Sequence, residues 1–316
     1  MLDVRKRSGT PPAPAEVKET SRSRWVTWFD LKASPYFLVS PYFLLFAIFG
    51  LFPLLFNLWV SLHDWELAGD RKWVGFENYT NLVQDADFWN SVVNTFGMFV
   101  LATVPQLILA LMLANALNKR MRFRLLYRMG VLVPMVTSIV AVAVVFGQLF
   151  ARDYGFVNWL LHKDGLDWTA DKWSSWTAIS VMVDWRWTGY NSLIYLAAMQ
   201  AIPRDLYEAA SIDGASPRRQ FWQITIPMVK PAIVFTTITS TIGGLSLFTE
   251  PVMFAQGDVG GGSLGQFQTV AMYMYENAFR HFDYGYAAAI AWMLFLMILL
   301  VSFFSFVFTR RIGGSE

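Results

Sequence analysis

The sequence predicts an all-α integral membrane protein with six transmembrane helices and a helix-turn-helix segment on the cytoplasmic side. Three observations predict it. Apolar residues make up 55% of the 316 residues and charged residues only 15%, against about 25% charged in ordinary soluble domains. The mean hydropathy is +0.39, and the apolar residues gather in runs that reach the roughly 20 residues a spanning helix needs. Lys and Arg crowd the connections on one side of those runs.

Residues 1–35 are polar, with PPAPAEVKETSRSR as their Pro- and Ser-rich part. They lack the charged, apolar and small-residue order of a signal peptide, so a disordered cytoplasmic tail is expected. Within it, Arg24 to Lys32 can lie as a short interfacial helix through Trp25, Trp28 and Phe29. A six-span domain follows over 36–309. Its spans are expected at Tyr36–Leu62, Val92–Leu117, Met129–Phe150, Trp176–Ala201, Ile226–Phe248 and Tyr286–Thr309. The third and sixth are the cleanest, with no charge inside. The second carries Asn94, Pro105, Gln106 and Asn115, and the fourth carries Asp184 and Arg186. Such polar content points to helices that face protein or a cavity. Residues 310–316 form a short second tail.

Orientation follows from the cations. The segments on the N-terminal side of the membrane hold 18 Lys and Arg, the opposite side 6, and Arg186 sits in a span. Both termini are therefore expected on the cytoplasmic side of a bacterial-type cytoplasmic membrane, and so is the connection at 203–227.

The net charge of +2 leaves no basic face for nucleic acid. The absence of Cys excludes thiol chemistry and Cys-based zinc sites. His63, His162 and His281 scatter over predicted loops, where they are expected to be solvated rather than to form a metal cluster. Ten of the fourteen Trp fall in or near the outer half. An aromatic belt at the headgroups explains part of this. A one-sided excess also fits an outer vestibule and docking face for a sugar or a partner.

The connection between the fourth and fifth spans has helix punctuation. Pro203 suits a first turn, Leu206, Ala209, Ala210 and Asp213 follow at helical spacing, and Gly214 stands where a C′ glycine ends a helix. Ser216 is an N-cap with Pro217 at N1, so a second helix starts at once. It passes through Arg218 and Arg219, and Pro227 marks re-entry into the membrane.

The spacing is Glu208-Ala209-Ala210, then Gly214, Ile224, Ile226 and Pro227. It resembles the EAA loop of binding-protein-dependent ABC importer permeases, with Ile226 where Leu is usual. The resemblance runs from about Pro41 onward, through Trp73–Phe96, Phe123–Leu161 and Gly189–Ala215, and is to the maltose and glycerol-phosphate type of carbohydrate permease, larger subunit. The very large outer loop of the enterobacterial maltose subunit is absent.

The resemblance implies that the EAA helices fit a cleft on a cytoplasmic ATPase dimer and carry its ATP-driven closure to the spans. Glu208, Ala209, Ala210, Asp213, Gly214, Arg218 and Arg219 are the coupling residues it implies, with Glu208 as a charge anchor and Gly214 as the turn. No G-x-x-x-x-G-K-[ST] pattern occurs in the chain. The chain is then not an enzyme and holds no cofactor of its own; ATP and Mg belong to the partner ATPase. A second homologous permease and an extracytoplasmic sugar-binding protein complete the implied set of partners, beside the lipid bilayer.

For the substrate path, the fourth span offers Asp184, Trp185, Arg186, Trp187, Tyr190 and Asn191. Aromatic faces, carboxylates, amides and guanidinium groups are what a sugar ring and its hydroxyls use. Asp184 and Arg186 stand two apart on a helix and cannot simply neutralise each other. Structural roles remain open for both, with Arg186 snorkelling outward and Asp184 paired across helices. The fifth span adds Thr237 and Ser240 among other hydroxyls, the pair Gly243-Gly244, and Glu250 near its outer end. Back-bonding hydroxyls and close helix packing account for that run equally well. The Gly-rich loop Gln256 to Gln268 is expected to be a mobile outer loop.

Two other classes compete. An ion-coupled secondary transporter calls for paired repeats and more midplane acids than Asp184. A polytopic membrane enzyme calls for a His/Asp/Ser or metal constellation, and the sequence has no such spacing.

Overall fold

The computed structural model of the chain describes residues 34–66, 71–119, 121–163 and 165–312. The expected surface helix at Arg24 to Lys32, nearly all of the 1–35 tail and residues 313–316 lie outside the described residues. One unit ends at Phe56 and a second runs from Asn57 onward.

Helix α1 (Ser34–Phe46) passes through a π-type turn (Ala47–Leu51) into α2 (Phe52–Ser61). Together they supply 26 uncharged residues, Tyr36–Ser61. A hairpin follows, β1 (His63–Asp64) and β2 (Lys72–Trp73), with His63 opposite Trp73. This small antiparallel pair departs from the all-α expectation. It also corrects the expectation for His63, which is buried rather than solvated. The His63 ring lies 3.9 Å from that of Trp59, and its Nδ1 is 2.7 Å from the Trp59 carbonyl oxygen.

The short α3 (Glu77–Gln84) leads into α4 (Ala86–Asn118), the longest helix at 33 residues. Asp85 caps α4 by accepting from the Asp87 amide at 2.9 Å. The next helices are α5 (Arg124–Val136), α6 (Ile139–Leu149), α7 (Phe156–Leu161) and α8 (Lys172–Gln200). The expected third span is not one continuous helix, because α5 and α6 meet at 90°. Thr137 and Ser138 between them are extended, at ψ 140° and 130°. The Thr137 hydroxyl donates to the Val133 carbonyl at 2.7 Å, so the broken end keeps a partner. Composition counts apolar residues and is blind to such a bend.

Helix α9 (Arg204–Ile212), α10 (Pro217–Gln220), a π-type turn (Phe221–Thr225) and α11 (Ile226–Met228) form the connection to α12 (Lys230–Leu245). The fifth expected span is likewise bent, by 67°. Helices α13 (Thr249–Phe254), α14 (Val270–Phe279) and α15 (Tyr284–Ile312) complete the chain. Helix α15 continues through Arg310 and Arg311, beyond the expected end of the span at Thr309. Among the described residues, three helical stretches, Tyr36–Ser61, Ala86–Asn118 and Tyr284–Val307, are each long and apolar enough to cross a membrane; counting each bent pair as one span gives up to five. Helix α8 is long enough at 29 residues, and its Lys172, Asp184 and Arg186 dilute its apolar character.

The centre of the second unit is the pairing of α4 with α8. They run side by side in the same direction. Near their starts Gly97 lies under the Trp176 ring, where a Cβ would stand 2.3 Å from it. Near their ends Ala110 and Ala114 pack with Tyr195, Leu196 and Met199. Small residues let membrane helices approach closely where lipid gives no hydrophobic drive. Helix α12 lies against both, through Tyr195 Oη and Thr236 Oγ1 at 2.6 Å and through Gly244 beside Phe99 and Thr103. Ile290 and Leu294 of α15 close a second cluster with Leu82, Phe88, Val92 and Val270.

The Gly-rich loop, expected to be mobile, is held by side-chain hydrogen bonds and partly buried. Asn94 Nδ2 donates to the carbonyls of Gly265 at 2.7 Å and Gln268 at 3.0 Å. Asn90 Nδ2 donates to Gly265 as well, and Trp176 Nε1 to the Gln266 carbonyl at 3.1 Å. Val259, Gln266, Phe267 and Gln268 are buried. Gly261 at φ +69° sits where a Cβ would meet the Gln268 backbone at 2.2 Å, so the loop's path requires glycine there.

Candidate functional site

Two separate places gather the residues singled out in the sequence. The first is the hairpin of α9 and α10. Helix α9 starts after Pro203 and ends at Asp213, with Gly214 left-handed at φ +76°. The Ala215 amide donates to the Ala210 carbonyl at 2.8 Å and the Gly214 amide to Ser211 at 3.1 Å. These are the two bonds of a Schellman turn, which needs a residue free to adopt positive φ. The Ser216 hydroxyl then caps α10 through the Arg219 amide, with Pro217 in its first turn.

Two links between the arms fix the hairpin's shape. Tyr207 Oη and Thr225 Oγ1 are 2.9 Å apart, and Gln220 Nε2 donates to Ser211 Oγ at 2.9 Å and to the Ala215 carbonyl at 3.1 Å. Glu208, Ala209, Asp213, Gly214, Arg218 and Arg219 are exposed on it, and Ala210 is half-buried. Arg219 Nε donates along its own helix to Gln223 Oε1 at 2.8 Å. Ile212 is 87% exposed, a bare aliphatic side chain one helical turn after Glu208 and on the same face. Ile212 is not among the expected coupling residues; its signal in the sequence is an isolated aliphatic residue on a polar hairpin.

The second place is a cavity of about 200 Å³ between α4, α8, α12 and α13. Trp187, Tyr190, Asn191, Ser240 and Glu250 line it, so five of the nine expected path residues converge. Asn191 Nδ2 donates to Ser240 Oγ at 3.1 Å, joining α8 to α12. The Trp187 and Tyr190 rings stand edge to face at 6.2 Å. Gly243 and Gly244 both line the cavity too.

The other four do not line it. Arg186 Nη1 donates to Glu250 Oε1 at 2.9 Å from outside the wall, with both side chains largely buried. Arg186 is therefore paired across elements and does not snorkel. Asp184 Oδ1 is buried without a hydrogen-bond partner among the described residues, so the expected pairing of Asp184 across helices is not seen among them. Trp185 turns away to the Phe146 ring, 5.7 Å off. The Thr237 carbonyl accepts from the Thr241 hydroxyl at 2.7 Å, within its own helix. Thr236 and Thr239 also back-bond, to Ala232 and Phe235, each at 3.0 Å. Thr236, Thr239 and Thr241 thus back-bond within α12, and Thr239 also lines the cavity.

The expected list also missed Thr103 and Gln106 of α4 and Phe248 and Thr249 before and within α13, which line the cavity. Gln106, buried in an apolar helix, was the visible signal. Among the outer Trp, Trp168 and Trp176 are core residues, with Trp168 Nε1 donating to Asn158 Oδ1 at 2.6 Å.

Residues 106–314 match the family model of the binding-protein-dependent transport system inner membrane component. The lactose transport system permease protein LacF of Rhizobium radiobacter is 37% identical over 92% of this chain and 98% of its own length. The arabinooligosaccharides transport system permease protein AraP of Halalkalibacterium halodurans is 32% identical over 93% of each chain. A chain from the crystal structure of a bacterial ABC transporter involved in the import of the acidic polysaccharide alginate has the same fold, with a TM-score of 0.76. It is 22% identical and the match covers 92% of this chain and 100% of that one. With the family model matching well over half of its length, the chain belongs to the binding-protein-dependent transport system inner membrane components, the permease family of ABC importers.

Proposed function

We propose that the chain is a saccharide permease with six spans and both termini in the cytoplasm, crossing as α1–α2, α4, α5–α6, α8, the bent pair ending in α12, and α15. With a second homologous permease it forms an alternating-access path, and an extracytoplasmic binding protein delivers the cargo. The hairpin at 203–227 faces the cytoplasm and docks on an ATPase dimer that holds ATP and Mg. Glu208, Ala209, Ala210, Asp213, Gly214, Arg218 and Arg219 make that contact, with Ile212 as an added apolar prong.

The observation that carries the saccharide reading is the cavity wall. Aromatic Trp187, Tyr190 and Phe248 offer ring faces, while Gln106, Asn191 and Ser240 offer the donors and acceptors that hydroxyls need. The relatives' names, for lactose and arabinooligosaccharides, support the same class. Asp184, Trp185, Arg186 and Thr237 act around the path rather than in its wall.

The test is lactose uptake into proteoliposomes holding the full complex and supplied with its binding protein. Uptake should require ATP and persist when proton and sodium gradients are collapsed. Uptake that ignores ATP and collapses with a gradient would instead fit an ion-coupled transporter.

A further inference from the structure

Glu250 is the one charged residue among those lining the cavity between α4, α8, α12 and α13, and among the described residues no Lys, Arg or His lines it. Its counterion, Arg186, is held outside the wall. Arg186 Nη1 reaches Glu250 Oε1 at 2.9 Å, with side-chain exposures of 14% and 9% for the two residues. The arrangement is thus layered. A molecule in the cavity meets a carboxylate whose neutralising guanidinium is not part of the lining.

Such a wall treats neutral and anionic cargo differently. A carboxylate is acceptor-only and keeps lone pairs beyond the one Arg186 occupies. Sugar hydroxyls are donors, so they can bond to Glu250 directly. Thr103, Gln106, Asn191 and Ser240 complete an uncharged polar lining around it. A uronate or sulfonate would instead place a second anion beside a desolvated carboxylate, and like charges at a dry contact are strongly unfavourable. The guanidinium is not among the groups that line the cavity, so it is not placed to give an acidic sugar a bidentate grip.

We propose that the Glu250–Arg186 pair is a charge filter that admits neutral, hydroxyl-rich saccharides and rejects acidic ones, with Glu250 as the specificity-determining residue. The proposal rests on the saccharide reading above and narrows it to uncharged cargo.

The test uses the full transporter complex without its binding protein, so that the binding protein's own selectivity plays no part. Equilibrium binding is measured for two radiolabelled probes, lactose and lactose oxidised at the galactose C6 to a uronate. The wild type should bind lactose at least about tenfold more tightly than the uronate. Glu250→Gln removes the carboxylate and leaves Arg186 unpaired, so it should shrink that ratio several-fold or invert it. The double variant Arg186→Gln/Glu250→Gln, with no charge at the site, should bring the ratio near one. A wild type that binds the uronate as well as lactose overturns the filter while leaving the saccharide reading intact, and needs no variant to fold. An unchanged ratio in a well-assembled Glu250→Gln complex also overturns it. Binding of neither probe removes the saccharide reading, and the filter with it.

Discussion

Gly189 of α8 presses against Val131 of α5 so closely that an added Cβ would stand 1.9 Å from the Val131 carbonyl oxygen. A backbone atom cannot swing aside as a side-chain tip can. The first half of the broken third span is therefore seated on the fourth by the absence of a single methyl group, directly beside the cavity residues Tyr190 and Asn191.

Gly189→Ala should accordingly force α5 away from α8. Overpacking of this kind costs about 1–3 kcal/mol or more. Gly130→Ala on α5, where a Cβ meets nothing within 4 Å of this chain, is the matched control. Thermal unfolding of the purified complex, followed by size exclusion, should show a lower midpoint for Gly189→Ala and little change for Gly130→Ala.

Asn94→Ala should release the Gly-rich loop. The side chain holds two of its carbonyls, at Gly265 and Gln268; Asn90 still donates to Gly265, so the Gln268 carbonyl is the acceptor that loses its side-chain donor. A buried acceptor left without a partner costs about 1–3 kcal/mol. Limited proteolysis should cut between residues 256 and 268 faster in the variant than in the wild type.

Asp85 gives a pH signature. Burial pushes its carboxyl up, but hydrogen bonds from Tyr273 and Tyr286 and from the Asp87 and Phe88 amides outweigh burial and hold it below the usual carboxylate range. A depressed carboxylate contributes stability that is present above its unfolded value, about 3.9, and is lost as pH falls through the lower folded value. Unfolding midpoints of wild type and Asp85→Asn should therefore differ most above about pH 4 and converge below it.

Local punctuation was legible in the sequence and long-range pairing was not. Gly214, Ser216 and Pro217 each act within a few residues of themselves, so the turn and both helix ends followed from their chemistry. The bend after Val136 depends on Thr137 and Ser138 staying extended, and no hydropathy sum records that. Arg186 was recognised as needing a partner, yet Glu250 lies 64 residues away and helical spacing cannot reach it. His63 looked like a loop residue because its burial comes from Trp59 and Trp73, brought together by a hairpin only two residues long on each side. Of the expected path, Trp187, Tyr190 and Asn191 on one face of α8 converge with Ser240 and Glu250; Trp185 points to another face, and Asp184, at helical spacing with Trp187 and Asn191, is not among the lining residues.

Ile212→Asp should leave insertion and pairing with the second permease intact, because the side chain touches solvent and not the bundle. Co-purification of the ATPase should fall, since the change places a charge on the exposed face that also carries Glu208. Retention of the ATPase at wild-type yield would remove Ile212 from the docking surface.

The central claim is that the Gly214 turn transmits ATPase closure to the spans, and coupled transport measures it most directly. At φ +76° any other residue is strained, while a Cβ there meets nothing within 4 Å, so substitution alters the turn without a clash. In proteoliposomes holding the complete importer, Gly214→Val should assemble and yet lose ATP-driven lactose uptake by at least about tenfold, the loss expected when a defined turn no longer fits its partner. Uptake by Gly214→Val at the wild-type rate would contradict the account.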